Sequence, residues 1–500
     1  MIKLITFNLR CANDPDGHSI DERAPRLKTV LDRLDADLIG FQEVVPRWME
    51  HLEAEYGDDY EIFNKYRAAN NKEATPMMWK KDRFECVDKG YFWLSNTPDI
   101  ESQGWDSIGC YRICLWAKLI DKTTGEDFVF FNTHYGFGDQ CQIDSGKLIL
   151  EHMKVMKVDA AFVTADFNMY PGSPGYKTLT AELVDCNAAT LNYTGTTYHG
   201  YHPENHVNGK PIDFCFATPN TVEPTKAVLL DDCFDGKYPS DHFGFYFELE
   251  LHKKLKLISF NVQNNGAPKS PEDRARMLRS LLRRYDADVV GLQEVTPIFV
   301  EKLEKIGRYN ISLKYRLEEQ KEATPILWNK EKFDLVHEEF FWLSETPDVA
   351  GKGFGGHYVR IATLVVLQYK GSNRRICYVN THFDFGAENH VASANLIKEK
   401  VAPYGDMPIF VTADFNMHIG SEGYKAMRES FKDVRWEVAP RDFTPTYNSL
   451  GQDMCAPQII DYVFTNGVKV TPKSYKVINE TPKGEYISDH NGIFTTFIVE

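Results

Sequence analysis

The chain has 500 residues, 43% apolar and 26% charged, proportions that exclude a disordered or fibrous protein and, at about 100–200 residues per domain, a single small module. The net charge of −15 is uneven: residues 1–252 hold 24 Lys and Arg against 40 Asp and Glu, whereas residues 253–500 hold 33 against 32. The acidic first half repels polyanions, and neither half shows a basic stripe interleaved with aromatics, so a non-specific grip on nucleic acid is disfavoured.

No apolar run reaches the roughly 18 residues of a membrane span, and MIKLITFNLR turns polar too early for a signal-peptide core. The expectation is a soluble, cytoplasmic protein with no membrane partner. Cysteines at 11, 86, 110, 114, 141, 186, 215, 233, 377 and 455 form no C-x-x-C pair and read as free thiols of a reducing compartment. In such a compartment Asn192-Tyr193-Thr194 is a chance sequon.

In chain order, LITFN (4–8) predicts a short strand, and Leu27, Val30, Leu31 and Leu34 the apolar stripe of a helix. An apolar strand then ends in Gln42-Glu43, and further strands are predicted at VFFNTH (129–134), AFVTADFN (161–168), PIDFCF (211–216) and FGFYFELEL (243–251). In the second half Ser270 caps a helix with Pro271 at its first position, and Met277, Leu278, Leu281, Leu282 and Tyr285 follow at helical spacing. Strands outnumber helices and several are apolar on both faces, which calls for an α/β fold with sheets covered by helices.

These elements occur twice. LITFNLR (4–10) returns as LISFNVQ (257–263), IGFQEV (39–44) as VGLQEV (290–295), FWLSNTPD (92–99) as FWLSETPD (341–348), and FFNTH (130–134) as YVNTH (378–382). VTADFNM (163–169) is unchanged at 411–417, IDFCF (212–216) becomes IDYVF (460–464), and PSDH (239–242) becomes ISDH (487–490). Seven segments in one order define a tandem duplication. Copy 1 is placed at residues 1–251 and copy 2 at 252–500, joined near Glu250–Lys254 by almost no linker; the short junction predicts an intramolecular pseudo-dimer.

The chemistry-bearing residues close apolar runs: Asn8, Glu43, His134, Asp166, Asn168, Asp213, Asp241 and His242 in copy 1; Asn261, Glu294, His382, Asp414, Asn416, Asp461, Asp489 and His490 in copy 2. A carboxylate directly behind a buried strand is costly unless a cation or hydrogen bonds satisfy it, and eight polar residues kept in both copies define a shared site. Carboxylates with Asn amides are hard ligands that suit Mg²⁺ or Mn²⁺, while two histidines per copy suit proton transfer and anion contact. Walker, H-E-x-x-H and G-x-S-x-G motifs are absent.

The ordered set F-N, Q-E-V, N-T-H, D-F-N, I-D-[FY]-x-F and S-D-H resembles the endonuclease/exonuclease/phosphatase (DNase-I-like) superfamily, once per copy. The resemblance implies a tandem pair of four-layer α/β/β/α sandwiches and a Mg²⁺- or Mn²⁺-dependent phosphoesterase. It implies metal ligation by Asn8, Glu43 and Asp241, and by Asn261, Glu294 and Asp489. Asp166 and Asp414 would deprotonate the attacking water, Asn168, His134, Asn416 and His382 would contact phosphate oxygens, and His242 and His490, oriented by Asp213 and Asp461, would stabilise the transition state.

The copies diverge where substrate is read: TTYHGYHPENH (196–206) stands opposite FTPTYNSLGQD (443–453), so Tyr198 and His199 match Tyr447 and Asn448 as candidate substrate contacts. Arg112 and Arg360 occupy equivalent strands and reach either a phosphate or a core-edge carboxylate. His199, His202 and His206 read as a polar loop, Gly351–Gly356 as a rim loop, and Phe92-Trp93 and Phe341-Trp342 as core. A small soluble phosphate ester is the expected substrate; a nuclease and a non-catalytic scaffold are the alternatives, separable by salt-sensitive nucleic-acid cleavage and by any metal-dependent turnover.

Overall fold

Alternation along the first strand, Ile2–Asn8, sets the layering: Ile2 and Leu4 face one core, while Ile5 and Phe7 face another. The computed structural model describes all residues except 106–108, 157–158, 265–266, 268, 371, 453–457 and 482–483. It divides into two units, Met1–His252 and Lys253–Glu500.

Each unit holds two six-stranded sheets. In the first unit one sheet runs Val222–Leu230, Gly244–Leu251, Ile2–Asn8, Leu38–Gln42, Met77–Lys80, Tyr60–Phe63. The other runs Val184–Asp185, Asp213–Ala217, Ala161–Asp166, Asp127–His134, Ile113–Asp121, Phe84–Trp93. Leu4, Leu38, Trp79, Phe245 and Phe247 meet Leu115, Phe128, Phe130 and Phe162 between the sheets. Helices Ile20–Leu34 and Pro46–Tyr56 cover the outer face of the first sheet through Leu27, Leu31, Trp48 and Leu52. Helices Asp139–Met156 and Pro174–Thr180 cover the second through Ile149, Met153 and Leu179. This is the four-layer α/β/β/α sandwich, and the second unit repeats it, with Ser270 Oγ accepting from Asp273 N (3.2 Å) at the cap of helix Pro271–Tyr285.

Parallel pairing aligns the ends that carry chemistry. Asn8 lies beside Gln42, and Asp166 lies between His134 and Asp213; Asn261, Gln293, Asp414, His382 and Asp461 repeat the register. The two sheets are stitched by a buried polar cluster. Asn132 Oδ1 accepts from Gln42 Nε2 and Thr164 Oγ1, both at 2.9 Å, and Asn132 Nδ2 donates to the carbonyls of Phe41, Thr75 and Pro76. Gly40 makes room for it, because a Cβ there would sit 2.6 Å from Asn132 Oδ1.

Among the described residues nine cysteines are present and none forms a disulfide; Cys455 lies outside the described residues, as does Asp453 of the second divergent loop. Among the described residues no helix is long and apolar enough to cross a membrane.

Candidate active site

Three site-linked positions per unit adopt the left-handed backbone that side chains usually avoid: Arg10, Glu43 and Asn168 (φ 58°, 59° and 49°), and Gln263, Glu294 and Asn416 (φ 53°, 60° and 49°). Each lies one or two residues past the end of a strand, and the turn swings a side chain out of the sheet register.

Asn8 links the two halves of the site. Its Nδ2 donates to Glu43 Oε1 (3.1 Å) and Asp166 Oδ2 (3.0 Å), while Oδ1 accepts from Arg10 N. Asn8 thus presents its nitrogen, not its oxygen, to the carboxylates, a bridge rather than the bare oxygen ligand the resemblance implies. Glu43 Oε2 accepts from Cys11 N (3.0 Å); burial opposes its charge, but this bond and the His242 charge keep its carboxyl below the usual range. Asp241 is buried beside Arg10 Nε at 3.6 Å.

Asp166 Oδ1 accepts from Asn168 N (3.0 Å), and its Oδ2 stands 3.5 Å from His134 Nε2 and 3.8 Å from His242 Nε2. Burial, then the charge of Asp213, pushes Asp166 up to about 7. His242 Nδ1 donates to Asp213 Oδ2 (3.0 Å); burial opposes the imidazolium, yet Asp213, Asp166 and Asp241 together hold it up at about 10. His134 is driven well below its usual range by burial and by Arg112 and Arg67.

The second unit reproduces the set. Asn261 Nδ2 donates to Glu294 Oε1 (3.1 Å) and Asp414 Oδ2 (3.0 Å), His490 Nδ1 donates to Asp461 Oδ2 (2.9 Å), and Asp414 lies 3.3 Å from His382 and 3.5 Å from His490. Asp414 is also pushed up to about 7, first by burial, and Asp489 Oδ1 lies 4.0 Å from His490 Nε2. Asn264, Glu294, Arg316, Glu322, Arg360, His382, Asp414 and His490 help line a cleft of about 610 Å³.

Three groups of side chains are placed so that they could hold a metal ion. Ligand atoms of Glu43, His134 and Asp166, of Asp166, Asp213 and His242, and of Asp414, Asp461 and His490 lie within 4.8 Å of one another in each group.

Several candidate contacts fall elsewhere. His199 has no exposed surface; its ring packs on Phe243 and Tyr238 and its Nδ1 accepts from Tyr201 N, so it braces the loop and offers nothing to a substrate. Asn448 is likewise spent on the loop, donating to Asn491 Oδ1 (2.9 Å) and accepting from Leu450 N (2.8 Å). Tyr198 and Tyr447 do reach the site edge, with ring centroids 5.2 and 5.1 Å from His242 and His490. The Gly351–Gly356 loop is packed down: Asn389 Nδ2 donates to Gly353 O, and Asp384 Oδ2 lies where a Cβ of Gly356 would. Phe92, Trp93, Phe341 and Trp342 are core.

Arg67, Glu73, Arg316 and Glu322 went unnoticed in the sequence. Arg67 Nη2 donates to His134 Nδ1 (2.9 Å) and pairs with Glu73, while Asn168 Nδ2 lies 3.1 Å from His134 Nε2. In the second unit Arg316 pairs with Glu322 (2.7 Å), His382 Nδ1 has no hydrogen-bond partner among the described residues, and Asn416 Nδ2 donates to its Nε2 (3.0 Å). The recurrence of Tyr-Arg-x₄-Lys-Glu-Ala-Thr-Pro at 66–76 and 315–325 was the available signal.

The model of the Endonuclease/Exonuclease/phosphatase family matches residues 5–242 and 258–490. The chain belongs to that family. Members hydrolyse phosphoester bonds and are typically dependent on a divalent metal. Endonuclease/exonuclease/phosphatase proteins of solved structure with similarity to this chain include a mannosyl-6-phosphatase of Bacteroides thetaiotaomicron (28% identical, covering 50% of this chain and 100% of that one, TM-score 0.45). D. rerio TDP2 with a single-strand DNA product is another (21% identical, 49% and 98% covered, TM-score 0.41). An uncharacterized protein, L388 of Acanthamoeba polyphaga mimivirus, is 27% identical over 157 residues; the match takes in 29% of this chain and 59% of that protein's length.

Proposed function

We propose that the chain is a Mg²⁺- or Mn²⁺-dependent phosphoesterase with one active site per unit, acting on a small soluble phosphate ester. The observation that carries this reading is the duplicated geometry around Asp166 and Asp414: a carboxylate raised toward neutrality between two histidines, one of which is paired to a second carboxylate.

Glu43 and Asp241 would hold the cation in the first unit, steadied by Asn8, and Glu294 and Asp489 with Asn261 in the second. When bound, the cation neutralises charge on the phosphate and on the departing oxygen. Asp166, with a pKa of about 7, accepts a proton from the attacking water, and the Asn168 N–H on Oδ1 and the Asn8 amide on Oδ2 fix the orientation of its carboxylate. His134 and Asn168 would contact the phosphate oxygens. His242, held as an imidazolium by Asp213, donates from Nε2 to the charge that develops in the transition state. Asp414, Asn416, His382, His490 and Asp461 act alike.

The acidic first unit and a cleft of about 610 Å³ in the second support a small ester over a polymer. Free, largely buried cysteines support a reducing, cytoplasmic setting. The test is a hydrolysis panel with Mg²⁺ of aryl, sugar and inositol phosphates, bis-p-nitrophenyl phosphate, single-stranded DNA and RNA, run on wild type, Asp166→Asn, Asp414→Asn and the double variant. Each single variant loses its own site's turnover by about 10²–10⁴-fold with the fold retained. Full activity in the double variant overturns the mechanism, and salt-sensitive cleavage of nucleic acid alone replaces the small ester with a nuclease substrate.

A further inference from the structure

Beside each catalytic set lies a cation pair that the mechanism leaves unused. Arg67 and Arg112 are both buried, at 3% and 4% exposure, with one carboxylate, Glu73, between them. Arg112 Nε and Nη1 and Arg67 Nε have no hydrogen-bond partner among the described residues, and Arg112 has no carboxylate within ion-pair distance there. Its guanidinium lies over the ring of Phe137, 6.0 Å from the centroid.

The second unit repeats this. Arg360, 6% exposed, lies over the Tyr358 ring at 5.3 Å; its Nε and that of Arg316 have no hydrogen-bond partner among the described residues, and Glu322 is the shared carboxylate. Arg316, Arg360, Glu322 and Tyr358 all line the cleft that contains Asp414 and His490. The core-edge salt bridge open to Arg112 and Arg360 from the sequence is therefore not made among the described residues.

Burying guanidinium donors that find no acceptor among the described residues is costly. Such an arrangement is retained in both units although the loops around it diverge. It becomes favourable when an anion occupies it, and Arg donors in a fixed fork match a carboxylate or phosphate. Its position defines which anion. Arg67 contacts the Nδ1 edge of His134, whereas the Nε2 edge of the same ring faces Asp166 at 3.5 Å, so the pair stands one imidazole away from the position of the scissile phosphate.

We propose that Arg67 with Arg112, and Arg316 with Arg360, form a second anion subsite in each unit, so that the substrate is a phosphate ester bearing another acidic group (a carboxylate or a second phosphate) within a few atoms of the scissile one. This deepens the phosphoesterase reading and rests on it for the identity of the first anion.

The experiment is calorimetric titration of the full chain in excess EDTA, which removes metal-bridged binding, with two non-hydrolysable probes: methylphosphonate, a single anionic group, and phosphonoacetate, which adds a carboxylate. Wild type is expected to bind phosphonoacetate about 10- to 100-fold more tightly, the range of a charge-assisted pair of hydrogen bonds. The preference should vanish in Arg112→Gln/Arg360→Gln and survive in part in Arg112→Lys/Arg360→Lys. Equal binding of the two probes by wild type, or binding of neither, overturns the subsite whether or not the variants fold. Hydrolysis and this preference fail separately: Asp166→Asn/Asp414→Asn silences turnover but leaves discrimination between the probes.

Discussion

Gly40→Ala tests the contact that holds the site together from behind. An alanine Cβ at this position would lie 2.4 Å from Thr164 Oγ1, 2.6 Å from Asn132 Oδ1 and 2.8 Å from Asn132 Cγ. None of these atoms is the loose end of a flexible side chain. Asn132 is tied by its amide to three backbone carbonyls of the opposite sheet, and Thr164 Oγ1 donates to Asn132 Oδ1. The methyl group is accommodated by separating the sheets or by breaking part of this network. Overpacking costs about 1–3 kcal/mol and a buried polar group left unpaired about 1–3 kcal/mol, so a loss of about 2–6 kcal/mol is expected. With a urea dependence of about 3 kcal/mol per molar, the affected transition moves down by about 1–2 M. The assay is urea unfolding of the full chain followed by tryptophan fluorescence and circular dichroism. Gly291→Ala, whose Cβ meets Thr412 Oγ1 at 2.5 Å and Asn380 Oδ1 at 2.6 Å, should behave alike. Gly405→Ala, at an ordinary helical φ of −63° with its closest contact at 3.4 Å, is the control and should change little. If Gly40→Ala unfolds at the same urea concentration as that control, the inter-sheet cluster does not set the sheet separation.

Three further outcomes are expected. His242, with its pKa raised to about 10, carries its charge below that value and loses it as pH rises through it; Asp213→Asn should bring the alkaline fall of kcat/KM down by about 1–3 pH units, and an unmoved limb would refute the pairing. Mg²⁺ that binds only the folded chain raises its melting temperature, by about 2.7 kcal/mol of stabilisation at a hundredfold excess over Kd, and Glu43→Gln together with Glu294→Gln should abolish the rise in a thermal-shift titration. Arg23 is fully buried and donates to the carbonyls of Leu9, Arg10, Ala12 and His18, so Arg23→Met should destabilise by about 3 kcal/mol or more in chemical denaturation; a change below about 1 kcal/mol would show that water replaces those bonds.

Much of the active site was legible because its residues close strands. Asp166 and Asn168 follow an apolar run, and the same run with the same polar tail returns at Asp414 and Asn416, so a reader of the sequence sees both the strand and the exception to it. Arg67 escaped notice because a lone arginine in a polar hairpin resembles any solvated residue. Its burial and its bond to His134, 67 positions away, arise only when the hairpin folds over the second sheet. His199 erred the other way: a histidine in a divergent loop reads as a substrate contact, yet Phe243 and Tyr238 enclose it, and burial holds its imidazole down at about 3.

The sequence by itself determined the duplication, the α/β class and the candidate residues, since period-2 and helical apolar patterns and repeated motifs are properties of neighbours along the chain. Tertiary structure alone decided how those residues act on one another. Asn8 meets Asp166 across 158 residues, and the Asp166 carboxyl is raised to about 7 because packing strips it of water beside Asp213. Arg112 and Arg360, each with guanidinium nitrogens unpartnered among the described residues, acquire their meaning only from burial. Charge and hydrogen-bonding capacity are written in the residue types, but their cost depends on distance and solvent, which are set by the fold.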